Sequence, residues 1–188
     1  MRYPAAETAE KHQRILTQAA RLFREKGFDG VTVGEIMKAT GLTHGPFYNH
    51  FASKEALMAE STLHGSAHSR EGLAAATASP EAMRDYVRDY VSIEHRDGPG
   101  EGCVLAALAG EARKQPTVRP AFTFHLKNVI GKFTAHFPWK KKSHPRQDAI
   151  VMMSAMVGAV ALARAVDDAA FSEEILAAVR SAFTDEPS

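Results

Sequence analysis

Two short helical segments separated by the tripeptide Gly41-Leu42-Thr43 limit the possible folds of this chain more than any other feature. Before the tripeptide, Thr32 and Glu35 have the spacing of a capping box, in which each side chain bonds the other residue's backbone N–H. After it, Phe47 and Phe51 at positions i and i+4 give the second segment one apolar side. This arrangement predicts a helix-turn-helix, although spacing alone leaves open a surface helical hairpin that has no partner.

Apolar residues in the rest of the chain recur with the helical period, and no useful run alternates with a period of two. We predict an all-α protein of about nine helices, with an N-terminal three-helix helix-turn-helix head over residues 1–52. Residues 53–188 would form a helical ligand-binding and dimerisation domain. Its helices are expected over about 53–77, 79–95, 102–114, 116–137 and 146–166, and from a cap at Ser172 with Phe171 and Leu176 as a hydrophobic staple.

The composition is that of a globular protein, with 45% hydrophobic and 24% charged residues. Residues 1–54 carry a net charge of +3 and the remainder −2, which suits a DNA-binding head on a slightly acidic body. The single cysteine, Cys103, cannot form an internal disulfide, which favours a reducing compartment, the cytoplasm. We expect no signal peptide. The apolar stretch over residues 149–166 contains Arg164 and is predicted to be a buried helix rather than a membrane span.

The stretch TVGEIMKATGLTHGPFYNHFASKEAL, residues 32–57, closely resembles the DNA-binding module of the TetR family of transcriptional repressors. The resemblance is carried in order by an LF pair in the first helix, a GFDGVTV bend, an EI pair, a Gly-led turn, FYNHF and SKEAL. The resemblance is specific over about residues 10–60. Beyond them it is weak and is mostly a similarity in the arrangement of helices. It implies a homodimeric repressor that binds a palindromic operator in double-stranded DNA.

The same resemblance implies a set of DNA contacts around the second short segment. Contacts at the base edges would be made by Thr43, His44, Gly45 and Pro46, and contacts to the DNA backbone by Thr32, Tyr48, Asn49, His50 and Lys54. Hydroxyl, amide and imidazole groups can bond phosphates or base edges, and glycine lets the backbone approach a base. Pro46 departs from the family pattern, and because proline has no N–H its contact would be apolar.

Cys103 follows Gly100-Glu101-Gly102 at a predicted helix start, where a thiol becomes more nucleophilic. The segment GCVLAALAGE resembles that of TetR-like regulators of electrophile and oxidant responses, so Cys103 is a candidate sensor. The alternative is a small buried residue that packs a helix start. Aromatic and polar residues at helical spacing are candidates for an effector pocket, with plain core as the alternative, and these are Tyr86, Tyr90, Phe122, His125 and Trp139.

Helices 8 and 9 are predicted to form an intersubunit four-helix bundle with Met156 at the interface, and an internal core helix is the alternative. His64 and His68 are spaced i, i+4 and could share a metal ion. No cysteine or acidic pair is placed to complete the site, so we expect neither a metal nor a cofactor.

The predicted function is transcriptional repression that is relieved by an unknown small-molecule effector or by modification of Cys103. We expect no enzymatic activity, because the sequence has no Gly-rich phosphate loop, metalloprotease motif or nucleophile elbow. The alternative is a helical dimeric interaction protein or small-molecule-binding protein without specific DNA binding.

Overall fold

The computed structural model describes residues 5–43, 45–139 and 144–184, and within them it is all-helical, which confirms the predicted fold class. These residues form ten α-helices and one 3-10 helix, η1. In chain order the elements are α1 (Ala5–Lys26), α2 (Val33–Ala39), η1 (Gly45–Asn49), α3 (Lys54–Gly65), α4 (Ala67–Ala76), α5 (Pro80–Tyr90), α6 (Ile93–Asp97), α7 (Val104–Ala112), α8 (Arg119–His136), α9 (Pro145–Ala165) and α10 (Ala169–Thr184).

Local start signals act as the sequence predicts. The Thr32 hydroxyl accepts the Glu35 N–H, and the Glu35 carboxylate accepts the Thr32 N–H at 2.8 Å, so the capping box of α2 is confirmed. Ser53 caps α3 and Ser79 caps α5 through their side chains. Each cap satisfies a backbone N–H that the helix leaves unpaired, which typically stabilises a helix by about 1 kcal/mol.

The single helix predicted over residues 53–77 is two helices in the structure. The break is at Ser66, whose hydroxyl donates to the backbone carbonyl three residues earlier at 2.8 Å. Glycine and serine are weak helix formers, and Gly65 lies directly against α1, where it has no room for a side chain. His64 and His68 therefore lie on different helices, α3 and α4, and not on one shared face.

Helix α10 begins earlier than predicted. Asp168 provides the cap, because its Oδ1 accepts the Phe171 N–H at 3.0 Å. The predicted cap, Ser172, lies inside the helix, where its buried hydroxyl donates to the Ala163 carbonyl at 2.7 Å. The predicted hydrophobic staple is also wrong, since Phe171 is 48% exposed.

Two hydrophobic clusters organise the molecule, one in the head and one in the body. Helix α7 belongs to both, because Val104 and Leu108 pack in the head cluster and Leu105 packs in the body cluster. Helix α3 also contributes Leu57 and Met58 to the head cluster. A displacement of α7 would therefore change the packing of both the head cluster and the body cluster. The boundary at residues 52/53 stays a prediction.

Helix α9 is long and apolar enough to cross a membrane, a test that the core helix of a soluble protein also passes. One side packs in the body cluster, where Met156 is fully buried within its own subunit. The prediction that Met156 lies at a subunit interface is therefore wrong. The helical period identifies the apolar side of a helix, but it does not show whether that side packs within the subunit or against another subunit. A different side of α9 is apolar and exposed, and it includes Ile150, Val151 and Leu162.

Candidate DNA-binding and effector sites

The second segment of the helix-turn-helix is η1, held from below by two aromatic side chains. Phe47 and Phe51 are 0% and 3% exposed, and their ring centroids lie 5.7 Å apart. Tyr48, between them in sequence, is 67% exposed. Burial of the two phenylalanines fixes η1 on the head, so its other side, with Tyr48, is presented to solvent.

The turn before η1 is a Schellman motif. The N–H of Gly41 bonds the Lys38 carbonyl, and the N–H of Leu42 bonds the Met37 carbonyl at 3.0 Å. Gly41 has a φ of 70°, which favours glycine. Gly45 differs, because a side chain there would meet no atom of the described protein within 4 Å. Its small size therefore leaves space on the outer surface of the head.

The described residues that were predicted to contact DNA are all exposed or half-buried. The exposed members are Thr32, Thr43, Gly45, Tyr48 and Asn49, and the half-buried ones are Pro46, His50 and Lys54. His44 lies outside the described residues. The Lys54 ammonium donates to the Phe28 carbonyl at 2.7 Å, so in the absence of DNA it also braces the bend after α1. Burial lowers the pKa of His50, and the neighbouring His12 lowers it further.

Sequence reasoning missed His12, which braces the head from α1. Its ring stacks on Phe51 with a centroid distance of 4.5 Å, and its Nε2 lies 2.7 Å from the Glu60 carboxylate of α3. No motif marks this residue, because its partners are distant in sequence. The contacts join α1 and α3 around η1 and support the orientation of the exposed surface.

Three of the predicted effector residues, Tyr86, Tyr90 and Cys103, line one cavity of about 280 Å³ between α4, α5 and the turn before α7. We call it the Cys103 cavity. Its remaining lining residues are His68, Ser69, Gly72, Asp89, His95, Glu101 and Gly102.

The other predicted effector residues lie elsewhere. Phe122 lines a separate apolar cavity of about 190 Å³ between α7, α8 and α9. Trp139 packs on Phe137, and its indole N–H donates to the Phe133 carbonyl at 3.1 Å. His125 is completely buried, and neither ring nitrogen has a hydrogen-bond partner in the described protein.

His95, on the short helix α6, joins the two sides of the Cys103 cavity. The single helix predicted over residues 79–95 is two helices, α5 and α6, because Ser92 caps α6 by accepting the His95 N–H at 3.1 Å. The ring Nε2 accepts the Cys103 backbone N–H at 2.8 Å, and Nδ1 bonds the Tyr90 carbonyl at 2.6 Å. This pattern requires a neutral ring protonated at Nδ1. Burial lowers the pKa of His95, which favours that neutral form.

Two contacts tie the turn before α7, and α7 itself, to the head. The buried guanidinium of Arg24 on α1 donates through Nε to the Gly100 carbonyl at 2.8 Å, and Nη2 bonds the same oxygen. The Glu111 carboxylate on α7 accepts the Phe28 N–H, just after α1, at 2.5 Å. Cys103 lies at the N-cap position of α7 and Glu111 lies near the end of the helix. One helix thus connects the thiol with the head.

A third contact ties this region to α9. Arg164 donates to the carbonyls of His95 and Arg96 at 2.6 and 2.8 Å. Arg96 in turn donates to the Ser172 hydroxyl on α10 at 2.9 Å. The signal in the sequence was Arg164, the one charged residue in the apolar stretch over residues 149–166. The segment from His95 to Cys103 therefore contacts the head, α9 and α10.

A braced head with an exposed helix-turn-helix, mounted on a helical body, defines the class of helix-turn-helix DNA-binding regulators. Residues 15–61 match the profile of the family described as bacterial regulatory proteins, tetR family. The match over the head supports a TetR family transcriptional regulator.

Curated relatives match over part of the chain. The chain is 49% identical over 49 residues to the uncharacterised HTH-type transcriptional regulator YerO of Bacillus subtilis, covering 26% of this chain and 17% of that protein. It is 42% identical over 60 residues to the HTH-type transcriptional repressor KstR2 of Rhodococcus jostii, covering 30% and 29%. The matched part thus spans less than a third of either relative.

The fold match extends much further. The reduced form of Escherichia coli NemR superposes with a TM-score of 0.78 over 93% of this chain and 95% of that chain, at 21% identity. At this identity the likeness shows the fold, and it includes the body as well as the head.

Proposed function

We propose that this protein is a homodimeric, cytoplasmic repressor that binds a palindromic operator through the head and releases it when the body is modified or occupied by an effector. The observation that carries DNA binding is the surface of η1, where Tyr48 is exposed over a buried aromatic base. A dimer would place two such surfaces in successive major grooves, about 34–36 Å apart. Members of the TetR family are generally not enzymes, and we propose no catalytic activity.

The proposed DNA contacts divide by role. Thr43, His44, Gly45 and Pro46 would lie at base edges, and those at the DNA backbone would be Thr32, Tyr48, Asn49, His50 and Lys54. The described protein leaves open space beside Gly45, so packing within the subunit does not require a glycine at this position. This open space supports a close approach of the Gly45 backbone to a base. Phosphate contacts supply affinity and base contacts supply sequence preference.

Lys54→Ala and Tyr48→Phe should each weaken binding to an operator-like duplex and to a random duplex alike, since both residues would bond phosphates. Lys54→Ala should also reduce the salt dependence of the binding constant by about one counterion. The measurement is fluorescence anisotropy over a range of salt concentrations, with duplexes selected by the protein from a random library.

Two variants control this experiment. Lys127→Ala removes an exposed charge from the body and should leave the salt dependence unchanged. Lys54→Arg keeps the charge and should keep the slope. If Lys54→Ala binds with unchanged affinity and slope while its thermal midpoint is normal, the proposed docking is wrong. An absence of salt-dependent binding by the wild type would favour the alternative, a helical interaction protein.

The regulatory proposal rests on the contacts of α7. A group added to Cys103 would enlarge a 6% exposed side chain at the N-cap position of α7, next to the bond between the Cys103 backbone N–H and His95. Interiors are close-packed, so α7 or the turn before it must shift. The Arg24 and Glu111 contacts would transmit this shift to α1 and the bend before α2. An effector lowers operator affinity only by its differential binding to the two head arrangements.

N-ethylmaleimide should release the wild-type protein from its operator duplex, while the Cys103→Ser variant stays bound. Without reagent the variant should bind normally, because the head is unchanged. Anisotropy gives release, and intact-protein mass spectrometry gives the extent of modification. Equal release of both proteins would remove Cys103 from the mechanism. If fully modified wild-type protein stays bound to the operator duplex, modification of Cys103 does not regulate DNA binding.

We also propose that the dimer forms through α9 and α10, the helices predicted as eighth and ninth. Both present exposed apolar side chains, with Val151 and Leu162 on α9 and Phe171 on α10. Gly158 has open space on α9, which would allow a close approach of a second helix. Four such helices, two from each subunit, would bury these side chains in an isologous bundle.

A further inference from the structure

Two histidines from different elements of the head lie beside each other. The ring centroids of His12 on α1 and His50, just after η1, are 5.8 Å apart. His50 is half-buried and is one of the residues that would meet the DNA backbone. Among the side chains, histidine has the ordinary pKa closest to physiological pH. A proton on either ring therefore changes the charge at the proposed contact of His50 with DNA.

Packing fixes the two rings relative to each other. The His12 ring stacks on Phe51 with a centroid distance of 4.5 Å, and its Nε2 lies 2.7 Å from the Glu60 carboxylate on α3. The His50 ring contacts the same phenyl ring at 6.4 Å. Phe51 is only 3% exposed, so both imidazoles rest on one buried side chain. Their proximity is therefore a property of the folded head and not of two freely moving surface side chains.

The other charged or titratable groups near this pair lie on α1 and α3. Lys11 adjoins His12 on α1, and α3 contributes Glu60 and, one turn later, His64. Burial lowers the pKa of His50, and His12 and then Lys11 lower it further. In the protein without DNA, the His50 ring is therefore mostly neutral at pH 7.

From this arrangement we infer that DNA binding by this protein takes up protons, with His50 gaining one from solvent as it meets a phosphate and His12 setting the pH range in which it does so. The inference rests on the proposed contact of His50 with the DNA backbone. A phosphate favours the charged imidazolium, whereas the charge of His12 opposes it. His12 is a positioning residue, because its effect on DNA passes through His50.

The sign of the effect follows from which state holds the proton. Protonated His50 binds phosphate more strongly, so DNA affinity rises as the pH falls toward 6. Fluorescence anisotropy of the full-length protein with the selected duplex, at one salt concentration, measures this change. Between pH 8 and pH 6 the association constant should rise by about fivefold per subunit.

Isothermal titration calorimetry counts the protons in the wild type directly. The binding enthalpy is measured at pH 6.5 in two buffers that differ in their enthalpy of ionisation. The difference should correspond to uptake of about half a proton per subunit. This measurement needs no variant, so a wild-type protein that takes up no proton overturns the inference even if a variant fails to fold.

Three variants assign the proton. His50→Gln keeps an N–H donor for phosphate but has no titratable ring, so its association constant should change by less than about twofold between pH 8 and pH 6. His12→Gln keeps a donor for Glu60 without a charge, so its rise in affinity should occur about half a pH unit higher. A purely structural role of His12 would instead lower the affinity by the same factor at every pH. His136→Gln removes an exposed histidine at the end of α8 and is the matched control, which should keep the wild-type profile.

The outcomes separate this inference from the proposed function. Salt-dependent binding of the wild type with no change between pH 8 and pH 6 would overturn the inference alone. The full wild-type rise in His50→Gln would also overturn it, because another group would then take up the proton. An unshifted profile in folded His12→Gln would contradict the role of His12. If the wild type binds no duplex at any pH, the proposed function is wrong and the inference fails with it.

Discussion

In the Leu162→Arg variant we expect a monomer at concentrations at which the wild-type protein is a dimer. Leu162 is 58% exposed on α9, so an arginine fits the isolated subunit without disturbing its core. In the proposed bundle the same charge would be buried without a partner, at a cost of several kcal/mol. Sedimentation velocity over a range of concentrations measures the change.

Phe124→Arg is a closely matched control, because Phe124 is 57% exposed and lies on α8, which is not one of the two helices of the proposed interface. It should remain a dimer. If Phe124→Arg dissociates while Leu162→Arg stays a dimer, the interface involves α8 and the proposed interface is wrong. Met156→Arg is unsuitable, since Met156 is buried within the subunit and a charge there would unfold the protein in either case.

The consequence for DNA binding should be larger than that of any single phosphate contact. A palindromic operator is held by two heads, and a monomer loses the advantage of linked binding, which is commonly about 100-fold or more. Leu162→Arg should therefore weaken binding to the selected duplex by about two orders of magnitude or more. Its binding to a half-site should resemble that of the wild-type head, because the surface around Tyr48 is unchanged.

The parts of the fold that the sequence predicted well depend on neighbouring residues. The capping box of Thr32 and Glu35 and the N-cap at Ser79 need only a few consecutive residues, so their spacing is sufficient. Boundaries that depend on distant contacts were predicted less well. Gly65 and Ser66 break a helix where the chain passes α1, and Asp168 competes successfully with Ser172 as a cap.

The candidate sites show the same division. Phe47 and Tyr48 lie in η1 and Phe51 follows it by two residues, so their pattern of burial depends on one short segment of the chain. The Cys103 cavity needs α4, α5 and the turn before α7 to meet, so residue type alone could not separate Tyr90 from Trp139. The coupling contacts of Arg24, His95 and Glu111 involve pairs far apart in sequence, which periodicity does not reveal.

His125 should make the stability of this protein depend strongly on pH between about 4 and 6.5. Its side chain is fully buried on α8 without a partner for either ring nitrogen. Burial and, to a smaller extent, the positive charge of Arg70 together lower its pKa from 6.5 to about 4. Within this interval the unfolded chain binds a proton at His125 and the folded protein does not, so acidification favours unfolding.

The difference between the two pKa values corresponds to about 3 kcal/mol of stability, present at pH 7 and lost as the pH falls toward 4. Urea unfolding at one fixed protein concentration, at pH 7 and pH 4.5, measures this loss. Other histidines with lowered pKa values, such as His50 and His95, contribute in the same direction. A variant at position 125 is therefore needed to isolate the effect.

His125→Leu replaces the imidazole with an apolar group of similar size. At pH 7 its free energy of unfolding should equal or exceed that of the wild type, because two unpaired polar atoms are removed. At pH 4.5 it should exceed the wild type by a further 2–3 kcal/mol or so. Parallel losses of stability in both proteins would assign the pH dependence to other groups. A large loss at pH 7 would show that His125 has a polar partner, such as a buried water bridging it to the unpaired Asn128 carbonyl.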